Sequence, residues 1–552
     1  YKIGHMAQKT ISQDKSSCNI LQTIDPKEIA DESMRHTVEI LLNVIEQLQL
    51  KVKDLESENQ RLKDENNRLK GEQGKPDIKA NSKGFKSLIS SEKERKTPKK
   101  HSKRSKNETI KIDREEILEY PTDQLPADAE FKGYEQVIIQ DISLATDNIL
   151  FRKQKYYSPS VGKTYVAELP LGYEGEFGPG IKALIISLYY GGNMTQGKLL
   201  DFLADLGISI SAGYLSNLLI KNHFLFETEK KEVYDSGLAS SPWQHFDQWS
   251  ARVRGVNYTT NIICNPLYTV YFTTANKDRL TVLKGLQPGR ELKFILNPRT
   301  FSLIEDFKIP TKWQNALKLL PQGTVLSEAQ FNHLLNKYLP KLGAQQLTRI
   351  KEAAAISFYH QQTDCPVVQT LCCDDAPQFK LITADRALCW VHEGRHYKKL
   401  SPVFACHQVI LGQFIEDFWD YYRELLAYKD APSPEAALLL RSKFWRLFET
   451  PSGYELLEER KQLTATKVSE LLRVLEHPEL PLHNNPAELA ARTMVQRRNI
   501  SYATQTIEGT QAWDTFLSLV ATTRQLGISF FDYVRDRISQ LGIIPSLSTI
   551  IR

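Results

Sequence analysis

At 552 residues the chain is long enough for several domains, each with its own core. The net charge is only +5, so affinity for a polyanion must come from local clusters and not from the molecule as a whole. Seven cysteines without a C-x-x-C pair exclude a disulfide framework and a zinc ribbon, and no run of about 18 apolar residues is present to span a membrane. The sequence opens without a charged-then-apolar secretion pattern, and the expected location is cytoplasmic.

Residues 1–35 are polar, unpatterned and expected to be disordered. The strongest periodicity follows, over 36–70. Val38, Ile45, Val52, Asn59 and Asn66 recur every seven residues, and Leu41, Leu48, Leu55, Leu62 and Leu69 recur three residues behind them. β-Branched residues at the first a positions with leucine at every d predict a parallel two-stranded coiled coil, and asparagine at a penalises other registers. Lys51 with Glu56, Glu58 with Lys63 and Glu65 with Lys70 all attract across such a seam. A homodimer through this leucine zipper is expected.

Residues 71–109 read as a basic flexible linker, in which Lys99, Lys100, Lys103 and Arg104 form a tract that can bind phosphate backbones without reading sequence. Short β-prone runs at Glu135–Ile139, Asn148–Tyr157 and Lys163–Ala167 predict a small β-rich module over 110–175. Within 176–235, MTQGKLLDFLADLGISISAGYLSNLLIKN has the layout of a helix-turn-helix: a first helix from about Thr195 to Leu206, a turn at Gly207, and a second from about Ser211 to Lys221. Small polar residues open the second helix, and Ser211, Tyr214 and Asn217 are its candidate DNA contacts.

Three consecutive β-prone stretches (about 243–250, 258–264 and 267–274) precede a helix after Asn276. Asp247 lies in the first, among Trp243, Phe246 and Trp249, and burying a carboxylate there is costly unless it is paired or bound to a metal. After an irregular helical insertion at about 287–365, PVVQTLCCDD gives a strand ending in Asp374 and Asp375, at the carboxyl end where open α/β sheets place chemistry. ALCWVHEGRHYKKL reads as a strand running into a basic helix. Cys389, His392, His396, Cys406 and His407 raise the question of zinc, but there is no second tight ligand pair and Cys389 falls on the strand. A second helical insertion at about 404–480 leads to LHNNPAELAARTMVQRRNIS. Asn485 reads as a helix cap and Pro486 as its first helical residue; Glu488 completes a capping-box spacing, and Arg492 lies one turn on. Two amphipathic helices around Gly527 and a tail at 541–552 close the chain.

Three strands with an acid, a helix, a strand with an acid, another strand and a helix with an acid form the layout of an α/β ribonuclease-H-like core, here over 240–540 with two helical insertions. Phosphoryl transfer by two divalent ions needs clustered carboxylates that leave room for phosphate and water, and hard oxygen ligands suit Mg²⁺. With Asp247 and Asp374 at the right places, Glu488 is expected to be a metal ligand and not part of the cap.

HFDQWSARV, CDDAPQF with ALCWVHEGRHYKKL, and NNPAELAARTMVQRRN resemble the insertion-sequence-66 group of transposases, within the DDE transposases. The resemblance spans most of 36–540. It implies an enzyme that cleaves transposon ends and transfers the 3′-hydroxyl into target DNA, with Asp247, Asp374 and Glu488 as the catalytic, metal-binding triad for two Mg²⁺ ions, or Mn²⁺ as substitute. Asp374 is preferred to Asp375 because Phe379 matches the family's aromatic offset. Arg492, Arg497 and Arg498 are candidate DNA contacts by position. The implied partners are the terminal inverted repeats, target DNA and possible accessory proteins of the same element, with no membrane. The chain departs from the family in Gln248-Trp249 after the first acid, in Leu489 after the glutamate, and in having no cysteine across 110–175. A catalytically inert, domesticated DNA-binding or architectural protein is the alternative.

Overall fold

The computed structural model describes residues 24–69, 110–121, 125–126, 129–142 and 144–552. Of the stretch 1–35 expected to be disordered, residues 1–23 lie outside the described residues, as does the basic tract with Lys99, Lys100, Lys103 and Arg104. Residues 24–35 correct the expectation, since Asp25 caps a 3-10 turn at Pro26–Glu28 and a long helix begins at Glu32.

A single helix, α1 (Glu32–Leu69), covers the heptad region. Its burial is one-sided in an informative way. Leu42, Asn43 and Glu46 are buried, whereas Leu41, Leu48, Val52, Leu55 and Leu62 of the heptad stripe are exposed, Leu48 by 57%. The helix therefore docks by its outer face and leaves the leucine stripe open. Glu46 accepts from the Val403 N–H (2.9 Å), bonds His407 Nδ1 (2.6 Å) and accepts from the Tyr454 hydroxyl (3.2 Å). Asn43 donates to Gly453 O and accepts from the Glu455 N–H, both at 3.0 Å.

Among the described residues of 110–175 the expected β-rich module reduces to one hairpin, β1 (Lys155–Ser158) with β2 (Lys163–Val166). The β-prone run Glu135–Ile139 carries no strand. Val137 and Ile139 are exposed and Ile138 is only partly covered, so no packed face exists to stabilise a sheet there. Next come α2 (Pro179–Ile186), α3 (Gln196–Asp205), α4 (Ala212–Ile220) and α5 (Phe224–Ala239). Thr195 and Ser211 cap α3 and α4 through their hydroxyls, and Gly207, at φ +74°, makes the turn between them.

The centre is a five-stranded sheet built from β3 (Trp243–Val253), β4 (Val256–Asn265), β5 (Tyr268–Thr274), β6 (Thr370–Cys373) and β7 (Asp385–Leu388), in the order β5-β4-β3-β6-β7. β3, β4 and β5 are antiparallel neighbours; β3–β6 and β6–β7 are parallel. Arg254 and Gly255, both at positive φ, turn β3 into β4 as a tight hairpin requires. After β5 come α6 (Arg279–Leu286) and the helices of the first insertion, α7 (Pro298–Asp306), α8 (Thr311–Lys318), α9 (Glu328–Tyr338) and α10 (Ala344–Gln361). Their apolar faces join the sheet's own core.

Beyond β7 lie α11 (Trp390–Lys398) and the second insertion, α12 (Ala405–Asp430), α13 (Pro434–Glu449), α14 (Glu455–Ala465) and α15 (Val468–Leu471). This insertion has a separate aromatic core, with Trp390, Phe418, Trp419, Phe444 and Tyr454. The chain returns to the sheet as α16 (Asn485–Ser501) and α17 (Ile507–Gln525), then ends in α18 (Phe530–Ser539) and α19 (Leu547–Ile551). α17 seals the edge strand β5: Asp514, Ser518 and Thr522, four residues apart on one helix face, accept from the N–H groups of Thr273, Tyr271 and Thr269. No described helix is long and apolar enough to cross a membrane.

The docking of α1 has a direct test. Glu46→Ala leaves His407 and Tyr454 buried without their carboxylate, at an expected cost on the order of 3 kcal/mol. Hydrogen exchange of the α1 amides around residue 46 should accelerate about 100-fold, while exchange in β3 and β4 stays unchanged. Equal protection of α1 in the variant and wild type would show that Glu46 does not hold it.

Candidate active site

Side chains alternate along a strand, so His245, Asp247 and Trp249 share one face of β3. The first is buried, the second half-buried and the third exposed, so the chain leaves the core at the acid. In the parallel pairing of β3 with β6, Trp243 stands opposite Thr370 and His245 opposite Cys372. The pairing ends there; the same register carried two residues further would set Asp247 opposite Asp374, the first residue beyond β6. Residues so paired present their side chains on one face, about 5 Å apart.

Asp374 and Asp375 have opposite surroundings. Asp375 is an anchor: its carboxylate takes Lys467 Nζ at 2.7 Å, Arg386 at 3.1 Å and Lys380 at 3.3 Å. Burial alone would raise its pKa, but the hydrogen bond and charge of Lys467, with Arg386 and Lys380, hold it below the usual carboxylate range. Asp374 accepts one backbone bond from Ala376 and turns its charge towards Asp247.

The third acid arrives on α16, whose start differs from the sequence expectation. The cap position is Asn484, one residue before Asn485, and its side chain makes no cap bond. That side chain is spent elsewhere: Nδ2 donates to Phe246 O (3.1 Å) and Oδ1 bonds His245 Nδ1 (2.9 Å). Burial holds the His245 ring neutral, with a pKa lowered to about 3, so Nδ1–H is the donor in that bond. The Asn484 N–H points at Cys389 Sγ (3.2 Å). Ala487 and Ala491 on the buried face let α16 lie close on β3 and β4.

Glu488 follows one turn in, and its N–H bonds Asn484 O at 3.0 Å. Arg395 Nη2 donates to Glu488 Oε2 at 2.7 Å; Oε1 is 3.5 Å from His392 Nδ1, and both of these buried atoms lack a hydrogen-bond partner. Asp247 registers the charge of the other two acids. Its pKa is raised to about 7, chiefly by burial; the Gln248 N–H opposes the rise, the charges of Asp374 and Glu488 add to it, and Lys277 offsets part.

α11 is built to serve two neighbours. Trp390, Glu393, Gly394 and Tyr397 face the insertion core, and a Cβ at Gly394 would meet Trp419 at 2.9 Å, so only glycine permits this approach. His392 and Arg395, three apart on another face, meet Glu488. Cys389, His392 and Glu488 bring ligand-type atoms within 4.8 Å of one another. Their hydrogen bonding argues against a soft-metal site. Arg395 Nη1 donates to His392 Nε2 at 3.0 Å, so the neutral ring carries its proton on Nδ1, and burial pushes the Cys389 thiol up to about 12. His407, another residue of the possible zinc set, is taken by Glu46.

The predicted DNA contacts divide. Arg492 is exposed and does not pair with Glu488, whose guanidinium comes from Arg395. Arg498 donates to Ser250 O and Oγ and ties the end of α16 to β3. Arg497 is a correction. It is 2% exposed, with its guanidinium 4.0 Å from the Tyr189 ring centroid and 4.6 Å from that of Trp513, so it cannot reach DNA. The sequence held the signal: Arg497 continues the buried face of Ala487, Ala491 and Met494 at helical spacing. Ser211 is an exposed cap and Asn217 is exposed, whereas Tyr214 packs on Phe177, with ring centroids 4.9 Å apart. Asn484, Arg395, Lys277 and the direct approach of His392 to Glu488 were missed. Only the i, i+3 spacing of His392 and Arg395 could have found that pair.

A model of the transposase IS66 family matches residues 361–512, which hold Asp374, α11, the second insertion and Glu488. The chain is also similar to the uncharacterized protein y4jO of Sinorhizobium fredii (strain NBRC 101917 / NGR234), at 31% identity over 312 residues, 56% of this chain and 95% of that protein. The chain belongs to the transposase IS66 family.

Proposed function

We propose that the chain is a DDE-type DNA transposase that cleaves transposon ends and transfers the resulting 3′-hydroxyl into target DNA. Transposase-type function, DNA as partner and a general need for divalent metal follow from the family. The observation that supports the finer reading is that Asp374, next beyond β6, and Glu488, on α16 packed against β3, lie near enough to Asp247 for their charges to add to the burial that raises its pKa to about 7. The oxygens of the three acids do not all lie within 4.8 Å of one another, as ligand atoms of Cys389, His392 and Glu488 do. The strand order β5-β4-β3-β6-β7, antiparallel then parallel, supports a ribonuclease-H-like core.

An Asp247 carboxyl whose pKa is raised to about 7 and an unpartnered Glu488 Oε1 fit a divalent cation, and three carboxylates suit Mg²⁺ or Mn²⁺. When bound, such ions lower the pKa of the attacking water or hydroxyl and neutralise charge on the phosphate. The chain's own residues do the rest. Asp247 on β3 and Asp374 just beyond β6 are carried by paired strands, which limits the reorganisation that ion binding would need, and Asn484 ties the start of the helix that carries Glu488 to the same β3. The α3–α4 pair is the proposed helix-turn-helix, with Ser211 and Asn217 exposed on α4. A second copy is the proposed occupant of the open stripe on α1, supported by the attractive Lys51–Glu56 and Glu58–Lys63 pairings and the asparagine at position 59.

On DNA bearing the element's own ends, Asp247→Asn, Asp374→Asn and Glu488→Gln should each lower Mg²⁺-dependent cleavage on the order of 10³-fold or more. Asp375→Asn should retain measurable cleavage. Wild type that cleaves no better than the Asp247→Asn, Glu488→Gln double variant overturns the enzyme reading and leaves a DNA-binding regulator. Joined products distinguish a transposase from a nuclease that only hydrolyses.

Asp247 also makes a pH prediction. The unfolded side chain loses its proton near 3.8 and the folded one near 7, so the folded state holds the extra proton between these values. Stability without metal therefore falls as pH rises through that window and stays low above it. Asp247→Asn should be more stable than wild type at pH 8 by about 2 kcal/mol, the full shift being discounted for partial exposure, and no more stable at pH 4. Thermal unfolding in chelator checks this, and Mn²⁺ should stabilise wild type alone.

The dimer has its own variant. Leu48→Asp with Leu55→Asp alters the exposed stripe and none of the docking contacts. Sedimentation should show wild type as a dimer and the variant as a monomer; a dimeric variant would move the interface elsewhere.

A further inference from the structure

Glu488 is bonded unlike the structural carboxylates Glu229 and Asp375. Glu229 has both oxygens filled: Arg537 Nε (2.7 Å) and the Tyr533 hydroxyl (2.8 Å) on Oε2, and Arg537 Nη2 (2.9 Å) and the Leu547 N–H (3.1 Å) on Oε1. Asp375 is likewise neutralised on both oxygens, by Arg386 and Lys380 on Oδ1 and Lys467 on Oδ2. Glu488 takes one guanidinium on Oε2 and leaves Oε1 buried and unbonded. A stable structural ion pair would not leave that oxygen open, because an unmet buried acceptor is costly. The asymmetry extends to exposure. The Arg395 side chain is 33% exposed and the Glu488 side chain 14%, so the cation stands on the solvent side of the anion. His392 steadies the arginine through its Nε2 acceptor but offers Glu488 only a distant Nδ1, 3.5 Å away.

We propose that Arg395 is a placeholder cation, neutralising Glu488 in the metal-free protein and yielding it to a divalent ion, after which the guanidinium takes a phosphate oxygen of DNA. This rests on the reading of Glu488 as an ion ligand. The pairing is single-ended and solvent-accessible, the regime in which an ion pair is weak enough to exchange. A doubly charged ion that also engages Asp247 and Asp374 competes on better terms than one guanidinium. Once displaced, Arg395 remains at the rim on its long side chain, and a phosphodiester is the anion that a nucleic acid brings there, matched to the guanidinium's fork. Arg395 thereby offsets part of the acid cluster's charge before the ion arrives.

The exchange predicts opposite effects on two measurements, which general damage to the fold cannot produce. The probe is Mn²⁺ titrated into the full chain without DNA and followed by the electron paramagnetic resonance of the free ion. Arg395→Gln should bind Mn²⁺ about 10-fold more tightly than wild type, since a competing cation is gone. At saturating Mn²⁺ the same variant should cleave DNA on the order of 100-fold more slowly, since the phosphate has lost a partner. Arg395→Lys, which restores the charge without the fork, should return Mn²⁺ affinity towards wild type and recover only part of the cleavage. Unchanged or weaker Mn²⁺ binding in Arg395→Gln, with binding in wild type still abolished by Glu488→Gln, overturns the placeholder role alone. Mn²⁺ binding that Glu488→Gln leaves intact overturns the ion-ligand reading of Glu488 and this proposal with it.

Discussion

The candidate site depends on one buried amide. Asn484 has no solvent-exposed surface, yet three elements meet on it: its Nδ2 holds Phe246 O on β3, its Oδ1 takes the neutral His245 ring, and its N–H faces the Cys389 thiol at the start of α11. Phe246 is the residue before Asp247, and Asn484 is four residues before Glu488. The distance between the first and third acids is thus set by two hydrogen bonds and one helical turn. Each buried group it satisfies would cost about 1–3 kcal/mol if left unpaired, so few other side chains can stand at this position. A helix cap would have used the same amide to stabilise α16 itself. Here the helix gives up that bond, and its start is fixed to the strand instead.

The second acid is held by a different kind of force. Parallel pairing of β3 with β6 directs Asp374 towards the end of β3 that carries Asp247, but a strand end frays unless something beyond it is anchored. Asp375 supplies the anchor through Lys467, which also reaches Glu393 on α11 at 3.2 Å. One ammonium group therefore joins the end of β6 to the helix that carries His392 and Arg395. Lys467 stands at the start of α15, within the second insertion. Two neighbouring aspartates divide the labour: the charge of one is neutralised for structure, and the other forms no ion pair among the described residues. The insertion is then a buttress, with an aromatic core rigid enough to hold that lysine in place.

How far the sequence made this legible follows from which signals are local. Strand alternation and Gly-bounded runs mark β3, β4 and β5, and the small-residue face of α17 is visible as serine and threonine at helical spacing, since both depend on residues close in the chain. The β-prone runs of 110–175 show the limit of that signal, because local propensity without a second face to pack against yields only a hairpin. Arg497 shows another limit. A run of like charges suggests a wet face, but a helix turns about 100° per residue, and the middle arginine of Gln496-Arg497-Arg498 enters the aromatic cage of Tyr189 and Trp513. Asn484 and Arg395 lay beyond reading because their partners are 238 and 93 residues away, and no local pattern encodes that pairing.

The docking of α1 connects these local facts to the scale of the assembly. A heptad helix tethered by a flexible linker would let two catalytic cores sit at any separation. Glu46 and Asn43 instead fix the outer face of the helix to the start of α12 and the loop before α14, in the same insertion that clamps Asp375. In the proposed dimer every step from the leucine stripe to the acids is then a packed or hydrogen-bonded contact: α1 to His407 and Tyr454, the aromatic core to Glu393 and Lys467, and Lys467 to the loop after β6. Such a chain of contacts need not carry a signal. Its mechanical effect is enough, since in the proposed dimer two rigid bodies joined at a fixed seam would hold their acid clusters at one spacing, and the proposed action on DNA ends would gain that geometry before DNA arrives.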